Sequence, residues 1–518
     1  MAINFIPNDP LARNALPMRQ QAPRPDRGTT LARFVMAGAV APGLYPPGTA
    51  EFLFWQCREA ALAAVDTWEI LEGPLRQWSP DAVSRKRLPL HPNDGDDLNA
   101  YYDRQSVSFF AHTTGAKTTF SGASTDVVAH ECGHALLDSI RPDLWDSPFV
   151  EVAALHEAFG DCMALLTAFA DPPTRRALLA VSPDLATSNF VEATAEDLSD
   201  GVRRDPRLGP RHPAAAPRHA LNSFRWRLPT TLPTSGPPPV LTSEIHSFGR
   251  VFSGCFYDTV RNIFTSSSAR TEVALWAAVR TAGKLLIRGA REAPLRPRFF
   301  QSVGRAMVLA DRTLNAGANR QAINDAFSRH AILLGSAAML APTASLAGPA
   351  PRLGARRASL SMATRGDLLR RIGAKPSARL SVSAGKLGGS TVVSAVHYRE
   401  VPLQCVSRRL KGVVAVVPES TLVGAAGSRA AVLGALPEAT STADEVHAFV
   451  EMLMEHDDIA FEGAAPAARR AVAGRGRTRE LPTHAIRLMG RKKVLSRLRF
   501  ASCPGRLVRY PAGLAMEW

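Results

Sequence analysis

Two histidines and a glutamate stand together in His130-Glu131-Cys132-Gly133-His134. On a helix, positions four apart lie one turn apart on the same face, so both imidazoles project together and Glu131 sits on the adjoining face. Two imidazoles held in this way are a ligand pair for zinc, with a base beside them. A zinc ion that does chemistry takes three protein ligands and keeps one position open, so a third donor must come from elsewhere. The apolar run over residues 150–166 has helical spacing and carries Glu157 and Asp161, four apart on one face. Buried carboxylates must be neutralised. Glu157 suits the third ligand position, and Asp161 suits the acceptor of a ligating imidazole's remaining N–H. Cys132 points away from the histidine face and reads as small buried filler. Gly133 costs a helix about 1 kcal/mol against alanine, which predicts a close packing contact behind the site.

His-Glu-x-x-His followed on the next helix by Glu-x-x-x-Asp resembles the gluzincin metallopeptidases, the thermolysin-like ones in particular. The flanks extend the likeness: residues 121–128 resemble the family's approach to its zinc helix, and Asn99-Ala100-Tyr101-Tyr102 its substrate-binding edge strand. Ser243-Glu244-Ile245-His246-Ser247-Phe248-Gly249 resembles the stretch that carries the second catalytic histidine. The resemblance covers roughly residues 50–335. It implies an α+β fold of two lobes, the N-terminal one containing β-structure and the C-terminal one helical, with one catalytic Zn2+ on His130, His134 and Glu157. It further implies Glu131 as general base, His246 as donor to the developing oxyanion, and Asp161 as the orienter of an imidazole. A peptide or protein substrate would add to the strand at Asn99, Ala100 and Tyr101, main chain to main chain.

Several positions depart from the family pattern. Leu241 stands where an acid normally orients the catalytic histidine, and Glu244 is the available substitute. His156 replaces the asparagine before the glutamate ligand, and Trp145 stands at a tyrosine position, where it reads as a packing residue. An arginine of the family grips the substrate carbonyl; Arg225, in Asn222-Ser223-Phe224-Arg225, is in the right region. Asp126 matches a ligand of structural Ca2+, but Ala168 occupies another carboxylate position, which weighs against the double calcium site.

The elements that must hold these residues follow from the rest of the chain. Its 518 residues, 46% apolar and 21% charged, exceed one ordinary core. Residues 1–30, rich in proline and arginine, read as an extended arm; 31–335 as the peptidase-like domain; 336–361 as an Ala/Pro/Gly/Arg linker; and 362–518 as a separate small basic α/β domain. Helices are expected over 52–71, 271–287, 297–314, 321–333 and 442–455, the last opened by a Thr442-x-x-Glu445 capping box. Residues 484–489 and 494–500 alternate around Gly490 and Arg491 and predict a hairpin. Residues 336–518 hold 27 Lys+Arg against 13 Asp+Glu, or +14 of the net +16. That surface could meet an anionic partner such as nucleic acid, acidic protein or a membrane face; a merely solvated arginine-rich surface is the reading that the composition favours. Six scattered cysteines and no basic-then-apolar leader point to a reduced, cytoplasmic setting. No apolar run is expected to reach the length needed to span a bilayer. The expected activity is zinc-dependent peptide hydrolysis. A zinc hydrolase of a non-peptide substrate, or an inactive fold used as a binding module, would share the same metal residues.

Overall fold

The computed structural model describes residues 1–206, 218–335, 361–371, 376, 380–387, 390–426, 429–433, 441–461 and 482–501. The expected linker over 336–361, apart from Ser361, and Cys503 lie outside these residues. Within them the architecture is mixed α+β, several small sheets packed on a helical body.

At the N-terminus, β1 (Ile3–Phe5) pairs antiparallel with β2 (Arg19–Gln21). Ile3 and Phe5 are buried, and the Gln56 side chain both accepts from the Ile6 N–H and donates to the Ile6 carbonyl. The segment is therefore tied down along its length, a frame for α1 (Ala50–Glu72), whose N-cap Thr49 accepts from Phe52 N–H. β3 (Arg33–Val35), β4 (Arg87–His91), β5 (Ala100–Tyr102) and β6 (Val107–Phe109) belong to one sheet, and β7 (Ala111–Thr114) and β8 (Lys117–Phe120) form a hairpin.

The helical body is built on α2 (Thr125–Ile140) and α3 (Val150–Ala170), which pack side by side with α1 behind them. Against the expectation that no run is long enough, α3 is long and apolar enough to cross a membrane by length and composition alone, yet it is buried inside the protein. Its apolar positions satisfy neighbours on every side. α4 (Pro172–Val181), the short β9 (Ala193–Thr194), α5 (Glu196–Arg204) and β10 (Arg218–His219) lead to α6 (Ile245–Thr265), which lies along α3. α7 (Glu272–Glu292), α8 (Phe299–Asn315) and α9 (Arg320–Arg329) complete this body close to the predicted bounds.

The C-terminal part is a larger sheet, containing β11 (Leu380–Leu387), β12 (Ser390–Pro402), β13 (Val413–Ala426), β14 (Arg429–Leu433), β15 (Ile459–Ala460), β16 (His484–Met489) and β17 (Lys492–Arg497). Helix Thr442–Glu455 packs on α3, and Arg298 bridges Glu151 of α3 to Glu445 of that helix. Its capping box is Ser441 with Asp444, one residue ahead of the predicted Thr442 and Glu445; Glu445 is spent on Arg298 instead. One buried apolar cluster takes in Trp68, Phe159, Phe252, Phe449 and Phe500 alike, so the C-terminal sheet shares its core with the helical body.

The predicted hairpin differs from the observed one in its second strand. β17 stops at Arg497, and β18 (Phe500–Ala501) leaves the hairpin to pair antiparallel with β5, Phe500 opposite Tyr102 and Ala501 opposite Tyr101. The chain is turned there by Arg497: its N–H donates to Asp146 Oδ1 at 2.9 Å and its Nε to the Trp145 carbonyl at 2.9 Å.

The α2–α3 contact rests on two glycines. A Cβ on Gly133 would lie 2.9 Å from the Cα of Gly160, and one on Gly160 would lie 2.6 Å from the His130 ring. Gly133→Ala and Gly160→Ala should each destabilise the chain by about 1–3 kcal/mol, the cost of overpacking a filled core. Urea midpoints measure this; an unchanged midpoint for both would show that the helices can part without cost.

Candidate metal centre

α2 delivers His130 and His134 one turn apart, and α3 delivers Glu157 opposite them; all three are buried. His130 Nε2 and His134 Nε2 stand 3.3 and 3.7 Å from Glu157 Oε2, and neither nitrogen makes a hydrogen bond. Donors about 2.0–2.2 Å from a tetrahedral ion stand about 3.3–3.6 Å apart. The spacing and the unsatisfied nitrogens therefore fit a group that could hold a metal ion between two imidazoles and a carboxylate.

The other ring nitrogens are held from behind. His130 Nδ1 lies 2.9 Å from Asp161 Oδ1, so the carboxylate accepts its proton and leaves Nε2 as the donor atom for a metal. His134 Nδ1 faces His156 Nδ1 at 3.2 Å. For His134 to offer Nε2 to a metal, its Nδ1–H must donate and His156 Nδ1 accept, which fixes both tautomers. Burial holds His156 well below its ordinary pKa, with His134 adding to the effect, consistent with a neutral acceptor. Burial alone would raise Glu157, but His246 and His134 outweigh it and keep the carboxylate ionised.

His246, at the start of α6, comes to the same place. Its Nε2 is 3.1 Å from Glu157 Oε2, and its Nδ1 is 2.6 Å from Glu244 Oε1. Glu244 caps α6 through Ser247 N–H with its other oxygen, so one side chain both starts the helix and orients the imidazole. This answers the direction of Glu244, which the sequence left open. Burial disfavours charge on His246, yet Glu157 and Glu244 lift its pKa well above the ordinary value.

Glu131 is buried on α2 beside its ligand neighbour. Cys132 is buried as well, and burial holds its thiol well above the ordinary pKa. Arg225 is exposed; the arginine at the site is Arg218 of β10, with Nε 3.4 Å from Asp161 and Nη1 3.9 Å from Glu157. Only the arginine-rich character of this stretch hinted at it. Trp145 is packed edge-on to Tyr102 and donates its indole N–H to the Arg497 carbonyl at 3.3 Å. Asp126 and Asp9, both buried, lie with the half-buried Glu196 in a second carboxylate group of metal-binding dimensions, its partners coming from the N-terminal segment and α5 while Ala168 sits on α3.

The strand expected to offer substrate a free edge is β5. Ala100 and Tyr101 are buried, Asn99 Oδ1 accepts from the Ala100 N–H, and the outer edge carries β18. The Ala501 carbonyl accepts from His246 Nε2 at 2.7 Å, and the Phe500 ring stacks on His156 and His134 at 4.0 and 5.0 Å between centroids. Phe500 was invisible to sequence reasoning as a site residue, because a two-residue strand has no periodicity to read.

No family model matches the chain, and no curated protein is similar to it.

Asp161→Asn should weaken divalent-metal binding about 10–100-fold, the usual cost of removing a carboxylate behind a ligating histidine. Competition between the chain and a chelating dye for Zn2+ measures it. Equal affinity in the variant would mean that Asp161 does not set the His130 tautomer.

Proposed function

We propose that this chain is a zinc-dependent metallopeptidase of the thermolysin-like gluzincin type. The observation that carries the reading is the convergence of three imidazole nitrogens, from His130, His134 and His246, on one oxygen of Glu157, beside a strand whose outer edge accepts extended main chain. Two imidazoles and a carboxylate are a donor set that suits zinc and leaves a coordination position open. A zinc ion bound there would acidify a water and polarise the scissile carbonyl.

The chain's own residues supply the remainder. Glu131 takes the proton of the attacking water and hands it to the leaving amine. His246, held by Glu244 through Nδ1, presents Nε2–H to the oxygen that becomes negative as the carbonyl turns tetrahedral. Asp161 and His156 keep the ligand imidazoles from turning. The main chain of Ala100 and Tyr101, with Asn99 beside them, aligns the peptide by strand addition, which tolerates many side chains.

Cleavage of casein by the zinc-loaded chain is the direct test. Glu131→Gln should lower the rate about 10²–10⁴-fold at matched zinc content, the share general base catalysis usually supplies. No turnover from the zinc-loaded chain or from a Phe500→Ala variant with a roomier cleft would overturn the reading. His246→Ala should lower kcat about 10²–10³-fold with KM little changed, as expected for a donor that acts on the transition state. A rise in KM alone would move His246 to substrate binding.

A further inference from the structure

The cleft is filled by the chain itself. β18 lies on the outer edge of β5 in antiparallel register, which is how an extended peptide would add to that strand. Its last carbonyl, that of Ala501, takes the hydrogen bond of His246 Nε2, the atom that also lies 3.1 Å from Glu157 Oε2. The reacting carbonyl of a bound peptide would need the same donor. Phe500 is fully buried: its ring lies parallel to those of His134 and His156, Trp145 stands edge-on at 5.3 Å, and the Arg497 guanidinium covers it at 4.0 Å. Arg499 lies over the Tyr101 ring at 4.7 Å. The end of β17 and the two residues of β18 thus use main chain, an aromatic anchor and two arginines to hold the chain beside the group that could bind a metal.

We infer that Arg497–Ala501 is a resident peptide ligand of this cleft, bound in the manner of a substrate and keeping the site closed until it leaves. A second statement follows from the same contacts. The peptides that replace it carry an aromatic residue immediately before a small residue whose carbonyl faces His246. The inference rests on the peptidase reading for its meaning in catalysis, but occupancy of the cleft can be measured without turnover.

The probe is a fluorescent, amidated peptide of the sequence of residues 496–501, Ser-Arg-Leu-Arg-Phe-Ala, titrated into zinc-loaded full-length chain carrying Glu131→Gln so that nothing is cut. Chains that also carry Phe500→Ala or Phe500→Asp, with zinc content and circular dichroism unchanged, should bind it at least 10-fold more tightly than the chain with Phe500 intact. A probe with aspartate in place of its phenylalanine should lose that binding by 10-fold or more. Equal binding by all chains, or none by any, overturns the inference. In the active background, Phe500→Ala should raise kcat/KM on casein 10-fold or more. Absence of turnover in every chain would reject the peptidase reading while the binding result still decides occupancy. Should both Phe500 variants lose zinc or fold, hydrogen exchange of the unaltered zinc-loaded chain decides: amides of residues 497–501 protected for minutes support occupancy, and exchange within seconds overturns it.

Discussion

A carboxylate as deeply buried as that of Glu157 is the constraint around which the structure is arranged. Removing an ionised group from water costs several kcal/mol, and the cost is met only where partners of opposite sign or good hydrogen-bond donors surround it. Here the partners arrive from every side: two imidazoles from α2, one from α6, and the guanidinium of Arg218 from β10. Each must be held in turn, and Asp161, His156 and Glu244 do so from behind. The site is thus a charge-matched cluster distributed over four elements, and the helical body exists in the arrangement that lets them meet. Two glycines set the α2–α3 spacing that makes the first of these contacts reachable.

The residues that the sequence made legible share one property: their relationships are local and periodic. His130 with His134, Glu157 with Asp161, and Glu244 with His246 are separated by two to four positions, so helical geometry or simple proximity places them before any tertiary contact is known. The helices of the body were legible for the same reason. Arg218 and Phe500 belong to strands of two residues, each too short to carry a pattern, and they reach the site through long-range packing alone. The cap of helix Thr442–Glu455 is Ser441 with Asp444 and not the expected Thr442 with Glu445, whose carboxylate is paired with Arg298. Likewise 494–500 alternates well enough to continue a hairpin, and it is the pull of Asp146 and Trp145 on Arg497 that ends it early.

The C-terminal sheet gains a meaning from this that its composition did not suggest. Its basic residues drew attention to anionic partners, yet two of its arginines, Arg497 and Arg499, are turned inward onto aromatic rings at the cleft. Helix Thr442–Glu455, docked on α3 through Arg298, places the sheet where β17 can deliver β18 to β5. The docking of the two parts and the pairing of β18 with β5 are one arrangement, since both rest on the same buried apolar cluster.

The order of the residues along the chain adds a dimension of time. The three residues that could hold a metal, and His246 after them, have been synthesised by position 246, and about 250 further residues must follow before Phe500 is added. At translation rates of about 5–20 residues per second, that interval is roughly 10–50 seconds, long compared with the folding of helices and small domains. Each newly made molecule therefore passes once through a stage in which the residues of this group exist while the strand that lies on β5 does not.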